Sequence, residues 1–427
     1  MSVPGRSSSA DGPAGPCEPA TEAIRVLVVD EAEEPRRRLR AVVESVPGFA
    51  VVADTAGGTG AVDLVRRLRP AVVLMHLHLP GGATLGAIEE IMAGQPTPIV
   101  LYTTAVGSAS GLDAVEALAA GAVDVLVRPR CDDGGSPAEF VQELRQRLRV
   151  ASRVRVIRHP RGRLRGASAD DGRVDVRRRA AGFGQVGQPG LFQVVVIGAS
   201  TGGPAALATV LRGLPPGFPA AVVVVQHMSA AFVDGLAHWL NGTCALPVEV
   251  AVDGGQLLPA TVLIAPGGGN LIVNSKLTTR CQPPAVGQFH VPGIDHTLTS
   301  LAGSRGERVV GVLLTGMGRD GAAGLLALRQ RGAVTIGQDE ATSAVYGMPA
   351  AALALGAVEY QLPLAEIAPV LCRLVLGAGS AGRPTAAAAA VGSAAVGSAA
   401  AGSAAVGSAA IGSAPVVVPA NGSGTAR

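Results

Sequence analysis

Val194–Ile197, Ala221–Val225 and Val309–Leu314 are unbroken apolar runs, and each stops on a cluster of glycine and polar residues. A strand carries such a run only when both of its faces are covered, so the pattern calls for a parallel sheet lying between layers of helix. The same grammar occurs earlier in the chain. Val26–Val29, Ala50–Ala53, Val72–Met75 and Ile99–Tyr102 are short apolar runs, and Val123–Val127 is apolar but for Asp124; amphipathic stretches such as Leu39–Ser45 and Gly60–Arg69 separate them. The expectation is an α/β chain with two doubly wound domains.

Between them, residues 151–190 are rich in Arg and Gly and have no sustained period, which reads as a basic linker. A nucleic-acid patch is the competing reading of that segment. It lacks the interleaved aromatics that stack on bases and any recognisable reading motif. Residues 1–23 are polar and rich in Gly, Pro and Ser, the composition of a disordered terminus. In residues 378–427 a Gly-Ser step recurs at Gly392, Gly397, Gly402, Gly407 and Gly412 within Ala and Val. That period is too short for a solenoid, so the tail is a low-complexity extension. The domains expected are therefore 24–150 and 191–377.

Composition narrows the class. Aromatic residues make up only 3% of the chain, so the cores must be built from Val, Leu, Ile and Ala. A formal charge of +3 over 427 residues implies no polyanionic partner. Five scattered cysteines without a CxxC spacing (Cys17, Cys131, Cys244, Cys281, Cys372) argue against a disulfide framework or a zinc cluster. No apolar run approaches the ~18–20 residues of a membrane helix, and the first residues lack the apolar core of a signal peptide. The expected location is the cytoplasm.

The polar residues that end the three long runs are Ser200, His227 and, within Thr315–Gly321, Asp320. Ligands bind at the carboxyl ends of strands in open α/β sheets. A serine hydroxyl is a poor nucleophile at neutral pH, so an imidazole must take its proton and a carboxylate must orient the imidazole. The three residues supply those parts. Each also has a plainer reading: Ser200 as a helix N-cap before Gly202-Gly203-Pro204, His227 as a structural histidine, and Asp320 as a turn or cap residue. The glycines at 198–203 match neither GxGxxG nor GxxxxGK[ST], so a phosphate cradle is weakly supported. Gly316 and Gly318 permit a tight loop whose amides could face an oxyanion.

Five ordered motifs now resemble one family. Gly198–Pro204 (GASTGGP), Gln226–Met228 (QHM), Leu263–Gly268 (LIAPGG), Leu314–Gly324 (LTGMGRDGAAG) and Gln338–Pro349 (QDEATSAVYGMP) resemble the chemotaxis response-regulator protein-glutamate methylesterases. The resemblance implies a Rossmann-like catalytic domain that hydrolyses γ-glutamyl methyl esters on chemoreceptor helices and can deamidate glutamines. It implies Ser200 as nucleophile, His227 as base and acid, Asp320 as orienting carboxylate, and Met317 as oxyanion donor, with Gly316, Gly318 and Thr201 in support. The implied partners are methyl-accepting receptors, or related sensory-array proteins, and a histidine kinase. No nucleic acid, membrane insertion, metal or organic cofactor is implied for the ester chemistry. Where the family often has Arg in the helix after QHM, this chain has Trp239.

The first domain is similar to the flavodoxin-like receiver that regulates this family. Its acidic pair falls on Asp30 and Glu31, its switch hydroxyl on Thr103, its phosphoacceptor on His76 and its lysine on Arg128. The last two depart from the pattern. An acyl phosphate needs a carboxylate, and magnesium prefers oxygen ligands, so this receiver is expected to be degenerate, not phosphorylated at His76 and poor at holding magnesium. His76 and His78, two apart on one strand face, could alternatively offer imidazoles to a transition metal, although a third ligand is wanting. The remaining rival is a signalling scaffold that keeps the fold without the chemistry; an intact Ser200, His227 and Asp320 count against it.

Overall fold

The computed structural model describes residues 23–45, 47–104, 108–128, 137–154, 193–286, 288 and 291–376. The expected disordered terminus, nearly all of the basic linker and the repeat tail lie outside these residues, as do Cys17 and Cys131.

The first domain has strands β1 (Ile24–Val29), β2 (Phe49–Thr55), β3 (Val72–His76), β4 (Ile99–Thr103) and β5 (Asp124–Val127). They are all parallel, in the order β2-β1-β3-β4-β5. Helices α1 (Glu33–Glu44), α2 (Gly58–Leu68), α3 (Ala83–Gly94), α4 (Ser108–Ala119) and α5 (Pro137–Ala151) connect or flank them. This is the flavodoxin-like order, with the sheet reversing direction between β1 and β3. Helix α1 begins earlier than its apolar residues suggest: only Leu39 and Val43 are buried, while Glu33 and Glu34 in its first turn complement the helix dipole.

The second domain holds a seven-stranded parallel sheet in the order β14-β13-β12-β6-β7-β9-β8. Its strands are β6 (Val194–Ala199), β7 (Ala221–Gln226), β8 (Val248–Val250), β9 (Val262–Ile264), β12 (Val309–Leu313), β13 (Val334–Gln338) and β14 (Tyr360–Leu362). An antiparallel ribbon of β10 (Asn270–Val273) and β11 (Thr279–Gln282) stands apart from it. The helices are α6 (Gly203–Arg212), α7 (Ala230–Asn241), α8 (Ile294–Arg305), α9 (Ala322–Gln330), α10 (Met348–Ala354) and α11 (Leu364–Leu376).

Every residue of β6, β7 and β12 is buried. Alternate residues serve opposite cores: Val195, Ile197, Val222 and Val224 pack on one face, Val194, Val196, Val223 and Val225 on the other. Each such side chain gives about 1.5–3 kcal/mol of transfer free energy, which explains why these strands must be apolar throughout. Strand β6 is the switch point, since the chain proceeds to β7 on one side and returns to β12 on the other. The loops after β6, β7 and β12 therefore open onto one crevice.

The two domains pack through α4 and α7. Their main chains meet at Gly111 and Gly235, where a Cβ on Gly235 would lie 2.8 Å from the Leu112 amide nitrogen. Phe232 of α7 is buried in the core of the first domain, and Val115 of α4 in that of the second.

Candidate active site

Ser200 leaves β6 with its amide donating to the Thr315 carbonyl at 3.0 Å, which pulls the chain towards the loop after β12. Its own carbonyl accepts from the Gly203 amide at 2.7 Å, closing a sharp turn that Gly202 completes at φ 74°. Ser200 is not the helix cap: the N-cap of α6 is Gly202, with no side-chain cap bond. The plainer reading of the serine thus finds no role in the local structure.

His227 extends the ladder by one residue, its amide donating to the Ala199 carbonyl at 3.0 Å. Its Nε2 lies 2.7 Å from Asp320 Oδ2. Asp320 also accepts the amides of Ile294 (2.8 Å), Asp295 (3.0 Å) and Gly321 (3.0 Å). Asp320 therefore does both jobs weighed for it, since it holds the first amides of α8 while it pairs with the imidazole. Burial alone would push its carboxyl up, but the His227 bond and charge and the amides of Asp295 and Ile294 outweigh that and hold it down at about 2. An ionised carboxylate only accepts, so His227 Nε2 carries the proton and Nδ1 is left as the basic nitrogen.

Gly316 departs from expectation. Its amide donates to the Val345 carbonyl at 3.0 Å and so cannot serve an oxyanion. It is required for packing instead: a Cβ there would come 2.7 Å from Ser200 Cβ. Gly318 does adopt φ 87°, the left-handed turn that the loop reading requires. Thr201, next to Ser200, is buried, its carbonyl accepting from the Thr315 hydroxyl at 3.0 Å.

Ser200, Thr201 and His227 line a cavity of about 370 Å³ that is closed on its far side by the first domain. Asp124, Glu143 and Arg147 contribute to that wall, with Arg147 paired to Asp124 at 2.6 Å and to Glu143 at 3.2 Å. Nothing in the sequence marks these three, because they become site residues only through domain docking. Trp239 is partly buried against the core of the second domain and does not line the cavity; the guanidinium that lines it comes from the first domain.

The equivalent edge of the first domain is arranged differently. Asp30 is buried at the end of β1, with Oδ1 accepting the Ala32 amide at 2.9 Å and Oδ2 accepting the Tyr102 hydroxyl. Burial and the Asp30 carboxylate push the Tyr102 phenol far up, so it remains a donor. The His76 ring tilts against Tyr102 at 5.2 Å between centroids. Glu31 is exposed, and Arg128 continues from β5 with its amide on the Thr103 carbonyl at 2.8 Å. A magnesium ion would need oxygens here, yet both Asp30 oxygens are already engaged and an imidazole stands at position 76. The residues do not fit that ion.

His78 is not on the strand face shared with His76, because β3 ends at His76. The His76 Nδ1 meets the His78 carbonyl at 3.0 Å, whereas His78 Nε2 reaches Asp113 of α4 at 3.3 Å and its Nδ1 lies 3.5 Å from the buried Thr103 hydroxyl. Among the described residues no group of three His, Cys, Asp or Glu side chains could hold a metal ion. No helix among them is long and apolar enough to cross a membrane.

Comparison with known proteins gives a consistent picture. The CheB methylesterase family model matches residues 195–371, and the response regulator receiver domain matches residues 26–133. A protein-glutamate methylesterase/protein-glutamine glutaminase of Anaeromyxobacter dehalogenans is 44% identical over 351 residues, spanning 82% of this chain and 97% of its own length. One from Myxococcus xanthus is 39% identical over 346 residues, spanning 81% and 92%. The crystal structure of the Thermotoga maritima CheB methylesterase catalytic domain shares 37% identity, with a TM-score of 0.42, over 43% of this chain and 99% of that one.

Proposed function

The chain belongs to the protein-glutamate methylesterase/protein-glutamine glutaminase family, and from that premise we propose that it hydrolyses γ-glutamyl methyl esters on a protein, releasing methanol, with Ser200, His227 and Asp320 as its catalytic groups. The observation that carries this reading is the His227–Asp320 contact of 2.7 Å in the cavity that Ser200 lines.

His227 Nδ1 takes the Ser200 proton as Oγ attacks the ester carbonyl. Asp320 stabilises the imidazolium that forms. The Met317 amide, next in the loop after the committed Gly316, receives the oxyanion. The imidazolium then protonates the departing methoxide, and water deacylates Ser200 by the same route in reverse, leaving glutamate. With a glutamine side chain the leaving group is ammonia. Neither half-reaction calls on a metal or an organic cofactor.

The family points to cytoplasmic segments of methyl-accepting chemoreceptors, or related sensory arrays, as substrates, and to a histidine kinase as a signalling partner. The departures at His76 and Arg128, together with the Tyr102–Asp30 bond, support a receiver that takes no aspartyl phosphate at position 76. Methanol release from a methyl-esterified receptor fragment, compared between the full chain and Ser200→Ala, tests the reading. Release by the wild type alone supports it. No release by folded wild type from a competent substrate favours the scaffold.

A further inference from the structure

The nucleophile and the base stand at the ends of neighbouring strands, just where the two main chains part. The last ladder bond is from the His227 amide to the Ala199 carbonyl; one residue on, the Ser200 amide turns away to Thr315. One side chain spans the gap. Gln226, the final residue of β7, is 3% exposed. Its Nε2 donates to the Ser200 carbonyl at 2.9 Å and to the His227 carbonyl at 2.9 Å. Both amide hydrogens thus hold main-chain carbonyls of the reacting pair. The Oε1 has no hydrogen-bond partner although it is buried. It lies against Gly203, where a Cβ would come 2.9 Å from Gln226 Cδ and nearer still to Oε1.

A buried acceptor without a partner is unfavourable, and an apolar side chain would fill the same space without that penalty. The donors must therefore be what the position needs. We propose that Gln226 is a positioning residue for the esterase reaction: its carboxamide fixes the Ser200 and His227 peptides relative to each other, and Gly203 is small so that the carboxamide can enter. The inference rests on Ser200 and His227 being the reacting pair. It accounts for a requirement that hydrogen-bond satisfaction alone leaves unexplained, because proton transfer from Ser200 to His227 depends on their separation and orientation.

The test uses the full chain, with kcat for methanol release expressed per folded molecule. Gln226→Met keeps the length and apolar volume but removes both donors; kcat should fall about 10- to 100-fold while KM stays within about twofold. Gly203→Ala leaves Gln226 in place but displaces its carboxamide, and should reproduce the same split. Wild-type kcat in Gln226→Met or Gly203→Ala, or a KM that rises in step with the fall in kcat, would overturn the proposal. Ser200→Ala separates the two levels: activity in that variant would refute the catalytic pair itself, whereas an inactive Ser200→Ala beside a fully active Gln226→Met would refute only the positioning role.

Discussion

The two sheets present an aspartate at the same kind of place, the carboxyl edge of a parallel sheet near its switch point, buried in the first domain and part-buried in the second, and they use it in opposite ways. Asp320 is held by three backbone amides and by an imidazole, so its charge is directed at a group that can carry a proton to and from Ser200. Asp30 is held by one amide and by the Tyr102 hydroxyl, against which His76 rests. The first carboxylate faces an imidazole that lines the cavity, while the second is closed off within the fold. A shared topology fixes where a carboxylate stands; its hydrogen-bond partners decide whether it can do chemistry.

This contrast can be broken by experiment. Its largest expected effect is catalytic. Asp320→Asn, which cannot stabilise the imidazolium, should lower kcat for methanol release by about 10⁴-fold, whereas Asp30→Asn should change it by less than about tenfold (about 1.4 kcal/mol in barrier). Next is a gain of reaction at the first edge. His76→Asp alone should accumulate no aspartyl phosphate from acetyl phosphate with magnesium, because Tyr102 still occupies Asp30, while His76→Asp with Tyr102→Leu should accumulate it. Labelling by the single variant would show that the Tyr102 bond is no barrier.

A smaller effect sharpens the comparison through stability. Tyr102→Phe leaves one buried oxygen of Asp30 without its donor and should cost about 1–3 kcal/mol in denaturant unfolding, with methanol release per folded molecule unchanged. The last effect is in the acid range. Asp320 has a folded-state value of about 2, below its ordinary 3.8, so its contribution is fully present above about pH 4 and is lost as pH falls towards 2. At about 1.4 kcal/mol per unit this amounts to about 2–3 kcal/mol. Acid titration of wild type against Asp320→Asn should show that difference shrinking as pH falls from 4 towards 2.

The catalytic edge was legible from residues because its strands are covered on both faces. An unbroken run such as Ala221–Val225 marks its own end, and the polar residue that follows stands at a strand terminus whatever the loops do. Glycine was harder to interpret. Gly318 turns as its type suggests, but Gly316 is needed because Ser200 packs on it, and close packing leaves no periodic trace. The strand pattern also overran at His78, since alternation continues past the last residue that pairs. Tyr102 reads as one more core residue of β4, and only the spatial approach of β1 turns its hydroxyl towards Asp30. Least legible was the wall made by Asp124, Glu143 and Arg147, whose charges look like ordinary solvated positions until two domains meet.

That meeting has a consequence for how the chain can diverge. At Gly111 and Gly235 the helices touch main chain to main chain, so no pair of side chains exists there to be exchanged in compensation. Any residue larger than glycine at Gly235 must part the helices, which would withdraw Phe232 and Val115 from the opposite cores and lift the receiver wall off Ser200. The two halves are thus inherited as a matched fit, in which one methyl group at a distant crossing acts as a wedge on the catalytic chamber.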